Sequence, residues 1–480
     1  MRKPVLAALV IAACAVFVGA ELLNASRHNQ FFLGDFRAFY CGGFTLVHGQ
    51  NPYAAAPLMR CESTPAPLGL YATIAGLAVP APFPGYALAL FAPFSLLPYP
   101  AAAILWLALI LVCSVLAAIA LADLTARPLL AILLVFVITY GLIVFPLGQL
   151  TGIVLYALVA AAAALRRGKI ALAVTCLCLS ALSPHVALAA FLALFVWIKE
   201  SRPAVIIAVV FLIVVDIAAG GPSQALAYFT IVLPAHAGAE VGGALQYSLT
   251  WLVHAAGASH TLALRSGEVS YVVMVCCGVI IAGMLARRFG DRAFVLLIPP
   301  AFALTGGAFV HLQEITLALP AALLLYVVAR RHEQRATSTI AAISLVLIAI
   351  PWLWVMDQPW IIALIAAVVF GVALGIVKLD ASRSLRASLA ALGICTFVMI
   401  IGARYGTQII PKAVNTHVGV LAQESWAQFV VNSSGITLIA AKAPTWIGLL
   451  LLVAACAYAI CRKDQSSGFG IACPMPKLPT

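Results

Sequence analysis

Long apolar runs separated by short polar or charged stretches recur along the whole chain of 480 residues. Runs of about 18 or more apolar residues are long enough to cross the hydrocarbon core of a bilayer as a helix. The pattern predicts an all-α polytopic membrane protein with about 14 (12–14) transmembrane helices. The predicted spans lie near residues 4–22, 100–122, 129–146, 150–165, 169–183, 186–199, 204–219, 269–286, 293–310, 313–330, 338–356, 360–378, 387–403 and 445–461.

Three of these runs are short for a full crossing, namely 150–165, 169–183 and 186–199. Tilting, partial re-entry or shielding by neighbouring helices would accommodate such segments in a bilayer.

The distribution of basic residues supports this order of spans. With the N-terminus inside, most of the 27 Lys and Arg residues fall in inner segments, as the positive-inside rule requires. The same assignment predicts that both termini are cytoplasmic. The net charge of +12 is scattered between apolar runs, so we predict no nucleic-acid partner. The basic residues of the outer segments are Arg27, Arg37, Arg60, Arg265, Arg404, Lys412 and Lys442.

Three outer segments are longer than simple connections, at residues 23–99, 220–268 and 404–444. Long loops of this kind are usually functional. The first contains the stretch PAPFPGYALALFAPFSLLPYP, whose apolar part is bracketed by prolines and is too short to span. We predict that it forms a short interfacial helix.

Two features of the N-terminal region stay open at this stage. The first apolar run reads either as a cleavable signal peptide or as a retained signal anchor, and a single crossing before the outer loop favours the anchor. Cys41 and Cys61 both lie in the first outer loop, where an oxidising compartment would permit a disulfide, and two free thiols are the alternative.

The first outer loop also carries the strongest candidate for chemistry. Asp35 follows the first apolar run in a Gly-Asp-Phe-Arg context, close to Arg37. A carboxylate at the membrane surface can accept a proton from a hydroxyl nucleophile. A helix cap or an ion pair with Arg37 is the structural alternative for Asp35.

A second polar cluster, FVHLQEITLALP, lies where one predicted span ends outside and the next begins. Ionisable residues at membrane depth are costly and usually functional, so His311, Gln313 and Glu314 are candidates for substrate binding. Interface anchoring is the alternative. Weaker candidates on the same face are Gln149 after Gly148, His185 in Ser-Pro-His, and Tyr247 before Trp251.

The pattern Asp-Phe-x-x-Phe-Tyr-x-Gly-Gly-x-x-x-x-x-Gly-x-Asn-Pro-Tyr, residues 35–53, resembles the first-loop signature of glycosyltransferase family 87. Further resemblances follow in order along residues 30–330: the proline-rich interfacial stretch before Leu105-Trp106, Gly148-Gln149, Arg166-Arg167-Gly168 before Ser-Pro-His, and the outer histidine region around His311. The family's usual Lys before Pro is Ser183 here, which leaves a phosphate contact open.

The resemblance implies a membrane enzyme with a GT-C-type helical bundle and a catalytic module at 1–330. The C-terminal third matches no family pattern, so residues 331–480 are a candidate region for acceptor selection. The donor would be a polyprenyl-phosphate-hexose, mannose-like by family, and the transfer to a lipid or glycan acceptor would be inverting. Asp35 would be the base and His311 the contact to the donor phosphate. The further substrate-binding residues would be Arg37, Tyr40, Asn51, Tyr53, Gln149, His185, Tyr247, Gln313 and Glu314.

The same reading predicts no cofactor and no required metal, because no second carboxylate beside Asp35 demands one. It places the protein in the bacterial inner membrane, with the site on the periplasmic face and membrane lipids around it. Two alternatives from other classes are a lipid-linked polysaccharide ligase or flippase, which needs no base in the first loop, and a secondary transporter. A transporter would favour internal repeats and midplane charges, which the chain does not show.

Overall fold

The computed structural model describes residues 33–64, 77–136, 144–353, 387–395, 420–429 and 436–461. The described chain is helical, and its β-type pairing consists of two isolated bridges, Ala54 with Leu421 and Gln246 with His311. The all-α prediction is therefore confirmed for these ranges. The predicted spans near 4–22 and 360–378 and the N-terminal signal or anchor lie outside the described residues.

The helices alternate between long apolar rods and short segments. Helix breaks coincide with Pro, Gly or charged residues. Pro98 directly precedes the helix Tyr99–Thr125, and Gly290 directly follows the helix His260–Phe289. In chain order the described α-helices are α1 Gly34–Val47, α2 Ala55–Glu62, α3 Gly85–Ser95, α4 Tyr99–Thr125, α5 Leu129–Phe136, α6 Val144–Leu147, α7 Thr151–Arg166, α8 Ile170–Ser180, α9 Pro184–Trp197, α10 Arg202–Ala227, α11 Leu233–Ala239, α12 Leu249–Ala255, α13 His260–Phe289, α14 Phe294–Gly306, α15 Leu319–Arg331, α16 Arg335–Ala349, α17 Ala422–Phe429 and α18 Ile436–Cys461.

The number of spans is smaller than expected within the described ranges. Five helical stretches there are long and apolar enough to cross a membrane. Several predicted spans are instead helices of 10–17 residues, and at 1.5 Å per residue these are shorter than a hydrocarbon core of about 30 Å. An apolar run has the same composition in a full span and in a short helix buried by its neighbours. The five stretches are Tyr99–Thr125, Lys199–Ala239, His260–Phe289, Leu312–Arg331 and Leu438–Cys461.

The second outer insertion, expected at 220–268, is not a separate loop. Helix α10 passes through a kink at Gly221, where φ is 80°, and continues through a π-helical turn at Tyr228–Val232 into α11. Pro222 explains the kink, since its ring cannot fit into a regular helical ladder. Helix α13 likewise begins inside the predicted insertion, at His260.

An aromatic cluster at the start of α1 sets the position of the first outer segment. The Phe36 ring stacks on Trp106 of α4 at 5.3 Å, and Trp106 is fully buried. The Trp106 indole N–H donates to the Gly148 carbonyl at 2.7 Å. Gly148 has a φ of 70°, and a Cβ there would come within 2.7 Å of the Phe36 Cβ. Only glycine meets both demands, so the turn before α7 lies directly against α1.

The expected interfacial segment forms α3, a helix of 11 residues that packs on α1. The contact is close because Gly43 faces the α3 backbone, where a Cβ would lie 2.6 Å from the Phe91 carbonyl carbon. From the other side, the Asp216 carboxylate of α10 accepts the Tyr86 backbone N–H at 3.1 Å. Asp216 therefore caps a neighbouring helix.

The C-terminal helix α18 packs against α16 and reaches the segment between α11 and α12. Its buried Lys442 donates from Nζ to the Gln246 carbonyl at 2.6 Å and lies 3.3 Å from the centre of the Trp251 ring. Trp446 donates to the Tyr247 carbonyl at 2.9 Å. The last described helix thus holds residues 246–247 in place from a distance of about two hundred positions along the chain.

A disulfide joins Cys41 of α1 to Cys61 of α2, which answers the question that the sequence left open. We expect both thiols to be blocked in the native protein. A maleimide should label neither cysteine before reduction and both after reduction and denaturation, with peptide mass spectrometry as the readout. The buried Cys113 and Cys456 serve as internal controls, since denaturation alone should expose them. Labelling of Cys41 or Cys61 without reductant would contradict the bond.

Candidate active site

A cavity of about 450 Å³ is enclosed by the first outer segment, by helices α9 and α11, and by the residues that follow α14. Its wall combines a set of ionisable and amide side chains with a larger set of apolar ones. The polar side chains are Asp35, Gln149, Thr151, Ser183, His185, His236, Glu240, His311, Gln313 and Glu314. The apolar and aromatic side chains include Phe39, Val79, Pro82, Phe83, Leu147, Leu150, Leu182, Tyr228, Leu233, Leu245, Phe309 and Trp426.

Asp35 lies in the first turn of α1, and its carboxylate faces this cavity. The Gln149 amide donates to Oδ2 of Asp35, because the Gly148 turn packs against Phe36. Burial raises the pKa of Asp35 to about 6, although the Gln149 hydrogen bond and the charge of His311 oppose the rise. The carboxylate neither caps the helix nor binds Arg37, and a pKa near 6 would suit a base that works near neutral pH.

His311 is held by its backbone on both sides. An antiparallel bridge pairs it with Gln246: Tyr247 donates to the Val310 carbonyl at 2.7 Å and Leu312 to the Leu245 carbonyl at 3.0 Å. The His311 backbone N–H donates to Oε2 of Glu314 at 3.0 Å. With the backbone fixed, the imidazole is directed into the cavity.

A carboxylate lies beside that imidazole. Oε2 of Glu240 is 3.8 Å from Nε2 of His311, an ion-pair distance. Burial would lower the pKa of His311, but the carboxylates of Glu240, Glu314 and Asp35 outweigh burial and raise it. Burial would raise the pKa of Glu240, and His311 together with His236 and Trp426 lowers it to about 2. The pairing thus favours a charged imidazole beside a charged carboxylate.

A second histidine–carboxylate pair lies across the cavity. Nε2 of His185, in the first turn of α9, is 3.1 Å from Oε1 of Glu314. The Ser183 hydroxyl donates to the same oxygen at 2.9 Å. Ser183, which stands where the resemblance expects Lys, thus orients Glu314, and His185 lies two positions further along the chain. Glu314 links the two histidines, because its other oxygen holds the His311 backbone.

The cavity is also lined by His236, Glu240 and Trp426, which the sequence alone did not indicate as site residues. His236 and Glu240 are four residues apart on and just after α11, so they share one helix face. A His-x-x-x-Glu spacing in an outer insertion is a sequence signal that could identify this pair. Trp426 comes from α17, and no local pattern connects it to the site.

Five expected site residues do not line this cavity. Arg37 is buried and donates to the carbonyls of Cys61 and Thr64 at 2.8 and 2.7 Å, tying α1 to the end of α2. Tyr40 and Tyr53 donate to the Leu97 and Phe83 carbonyls, each at 2.8 Å.

The other two are equally structural in their contacts. Asn51 accepts the Tyr53 backbone N–H at 3.0 Å, an Asx turn, and Tyr247 is buried beside Lys442. Asp35, Gln149, His185, His311, Gln313 and Glu314 are brought together as expected.

The arrangement of these side chains also bears on metal binding. Among the described residues, no group of three or more His, Cys, Asp or Glu side chains is arranged to hold a metal ion. The acidic side chains instead pair with histidines or, for Asp35, with an amide. Metal independence itself stays a prediction.

The arrangement suits proton removal next to an anion. Asp35 can accept a proton, and two imidazoles paired with carboxylates can neutralise a phosphate without leaving a bare buried charge when the cavity is empty. Gln313 is buried, and its side-chain oxygen has no hydrogen-bond partner among the described residues, so it is free to accept from a ligand hydroxyl.

Comparison with known proteins agrees with this geometry. The model of glycosyltransferase family 87 matches residues 83–312, a range that begins after Asp35 and ends just past His311. No similar chain was found among curated proteins or among solved structures. The matched range contains Gln149, His185 and Glu240, and together with the apolar helices it identifies a membrane glycosyltransferase. Residues 83–312, slightly less than half of the chain, thus match glycosyltransferase family 87, and this match indicates a glycosyltransferase.

Proposed function

We propose that the protein transfers a hexose, mannose-like by family, from a polyprenyl-phosphate-hexose to a hydroxyl group of a lipid or glycan acceptor, with inversion at the anomeric carbon. The observation that carries this proposal is a buried carboxylate, Asp35, in one cavity with two histidine–carboxylate pairs. The family match favours a transferase over the transporter and flippase alternatives.

Asp35 is the general base in this reaction. The acceptor hydroxyl gives its proton to the carboxylate while its oxygen forms a bond to the anomeric carbon. The bond from that carbon to the phosphate oxygen breaks, and the electron pair leaves with polyprenyl phosphate. Attack from the face opposite the leaving phosphate inverts the anomeric carbon. The Gln149 amide keeps the carboxylate turned towards the cavity before the acceptor arrives.

The two histidines stabilise the leaving group. The donor phosphate is a diester with one negative charge, and it gains a second charge when the sugar departs. His311 and His185 present nitrogen donors to the cavity at fixed positions, which favours the state with the greater charge. Since each imidazole already has a carboxylate neighbour, both stay in place without substrate.

The mixed lining suits an amphipathic donor. Apolar side chains such as Val79, Pro82, Phe83 and Leu233 can contact isoprenoid units, while the polar group contacts sugar and phosphate. A sugar of about ten heavy atoms fits a cavity of 450 Å³, which lies in the range typical of small-molecule sites. The Cys41–Cys61 disulfide is consistent with a site on the periplasmic face of a bacterial inner membrane.

Asp35→Asn should remove most of the activity while the fold persists, because Asn preserves the shape and cannot accept the proton. We expect kcat to fall by about 10²- to 10⁴-fold, the usual share of a general base. Purified protein in nanodiscs would be assayed with a short-chain isoprenyl-phosphate mannose and extracted membrane lipids as acceptor. Glu268→Gln, which removes an exposed carboxylate on α13, is the matched control and should stay near wild type. Full activity of folded Asp35→Asn would exclude the mechanism.

The pH dependence should report the same group. Asp35 must be ionised to act as a base, and its pKa is about 6, so kcat/KM should fall about tenfold per pH unit below that value. The rate above pH 6 should be flat until the His311 imidazole, whose pKa is raised by its carboxylate neighbours, loses its proton. The residual rate of Asp35→Asn should lack the acidic limb. An acidic limb near pH 4, or one that survives in the variant, would assign it to another carboxyl.

His311→Gln and His185→Gln should weaken the interaction with the phosphate. Each change removes an imidazole nitrogen donor that acts most strongly on the leaving group, so we expect kcat/KM for the sugar donor to fall by about 10- to 1,000-fold. The matched control is His48→Gln, since His48 is exposed at the end of α1 and does not line the cavity. Unchanged kinetics in both cavity variants would rule out a role for the pairs.

A further inference from the structure

Glu240 is a buried carboxylate that takes no part in the proposed proton transfer, so its position needs another explanation. It follows α11, its side chain is only 6% exposed, and Oε2 lies 3.8 Å from Nε2 of His311. An ionised carboxylate in such a place is costly unless other groups satisfy it. The distance is too long for a hydrogen bond to His311, so other groups must donate hydrogen bonds to the Glu240 carboxylate.

Two neutral donors supply it. The Trp426 indole N–H donates to Oε1 of Glu240, and the Gln246 amide lies 3.4 Å from Oε2. Gln246 also accepts the Val310 backbone N–H through its side-chain oxygen at 3.1 Å. Glu240 is therefore connected to the His311 backbone through one amide and to α17 through one indole.

Helix α17 is anchored to the first outer segment. Ala422 donates to the Tyr53 carbonyl at 3.0 Å, and Ala55 donates to the Val420 carbonyl at 3.1 Å. The Ser425 hydroxyl accepts the Ala78 backbone N–H at 3.2 Å. These bonds fix the orientation of Trp426, which lies outside the region that the family model matches.

The charged groups around His311 differ in the other contacts and tasks that each of them has. Glu240, Glu314 and Asp35 face it with negative charge, and His236 on α11 opposes them. Glu314 is already committed to the His311 backbone, to Ser183 and to His185. Asp35 is the base and changes charge during the reaction. Glu240 is the carboxylate that lies closest to the ring nitrogen and is free of both tasks.

We propose that Glu240 is a positioning residue that keeps the His311 imidazole cationic and directed at the cavity, and that Trp426 of α17 holds Glu240 in place for this purpose. The proposal rests on the proposed function for its consequence: His311 remains a cation while Asp35 remains a base, so both forms coexist over a wide pH range. The segment 420–429 thereby sets the alkaline limit of the reaction.

The first test measures the imidazole directly and needs no activity. Protein labelled with ¹⁵N-histidine in nanodiscs would be titrated by NMR, with His311→Gln used to assign the His311 signals. Glu240→Gln should lower the pKa of His311 by about one or more, a tenfold weaker proton affinity, since an opposite charge within about 4–6 Å has that effect. Trp426→Phe keeps a ring and removes the indole donor, so a smaller shift in the same direction is expected.

The matched control is Glu424→Gln, which removes the same charge from the exposed side of α17. Its His311 titration should equal that of the wild type. An unchanged His311 titration in Glu240→Gln, or an equal shift in Glu424→Gln, would overturn the proposal. If Glu240→Gln does not fold, Trp426→Phe decides alone: no shift in that variant also overturns it.

The second test uses the isoprenyl-phosphate mannose assay. The alkaline limb of kcat/KM should move to lower pH in Glu240→Gln by the same amount as the NMR pKa, because the protonated imidazole is lost as pH rises through its pKa. In a His311→Gln background, Glu240→Gln should have little further effect. Absence of transfer by the wild type would refute the proposed function and leave the titration result standing.

Discussion

The site depends on one constraint: a carboxylate must stay ionisable while it is half-buried in a largely apolar cavity. The structure meets this constraint through the Gly148 turn. Trp106 binds the turn through its carbonyl, Phe36 stacks on Trp106, and Gln149 then lies beside Asp35. Each step places the next, since the close approach of the turn to α1 leaves no room for a side chain at position 148. The base is therefore positioned by packing, and its pKa of about 6 follows from burial offset by one amide donor.

The same low-polarity surroundings determine how the other charges are arranged. Three carboxylates and three imidazoles line one cavity, and a bare charge of either sign there would be very unfavourable. Pairing His311 with Glu240 and His185 with Glu314 solves this in the empty state and leaves both imidazoles directed at a future anion. The two pairs are connected through Glu314, so displacement of one histidine would affect the other.

The supporting structure comes from widely separated parts of the chain. The bridge between Gln246 and His311 is held by Lys442 and Trp446 of α18, and Glu240 is held by Trp426 of α17. The C-terminal part, for which the sequence offered only a role in acceptor selection, thus contacts the residues that position the histidine. The residues that the family model matches therefore depend on contacts from the C-terminal helices to hold the site in place.

The sequence by itself determined the helical membrane class, the candidate base and the outer histidine, because these depend on local properties: apolar run length, a signature around Asp35, and ionisable residues next to apolar runs. It also brought Gln149, His185 and Glu314 into consideration. Only the tertiary structure decided which apolar runs form helices long enough to span and which form helices of 10–17 residues. It also separated Arg37, Tyr40 and Tyr53, whose polar groups bind backbone carbonyls, from the residues that line the cavity. Glu240 and Trp426 required the structure for the same reason: their contact joins positions 186 residues apart, and a contact at that range leaves no trace in local periodicity or spacing.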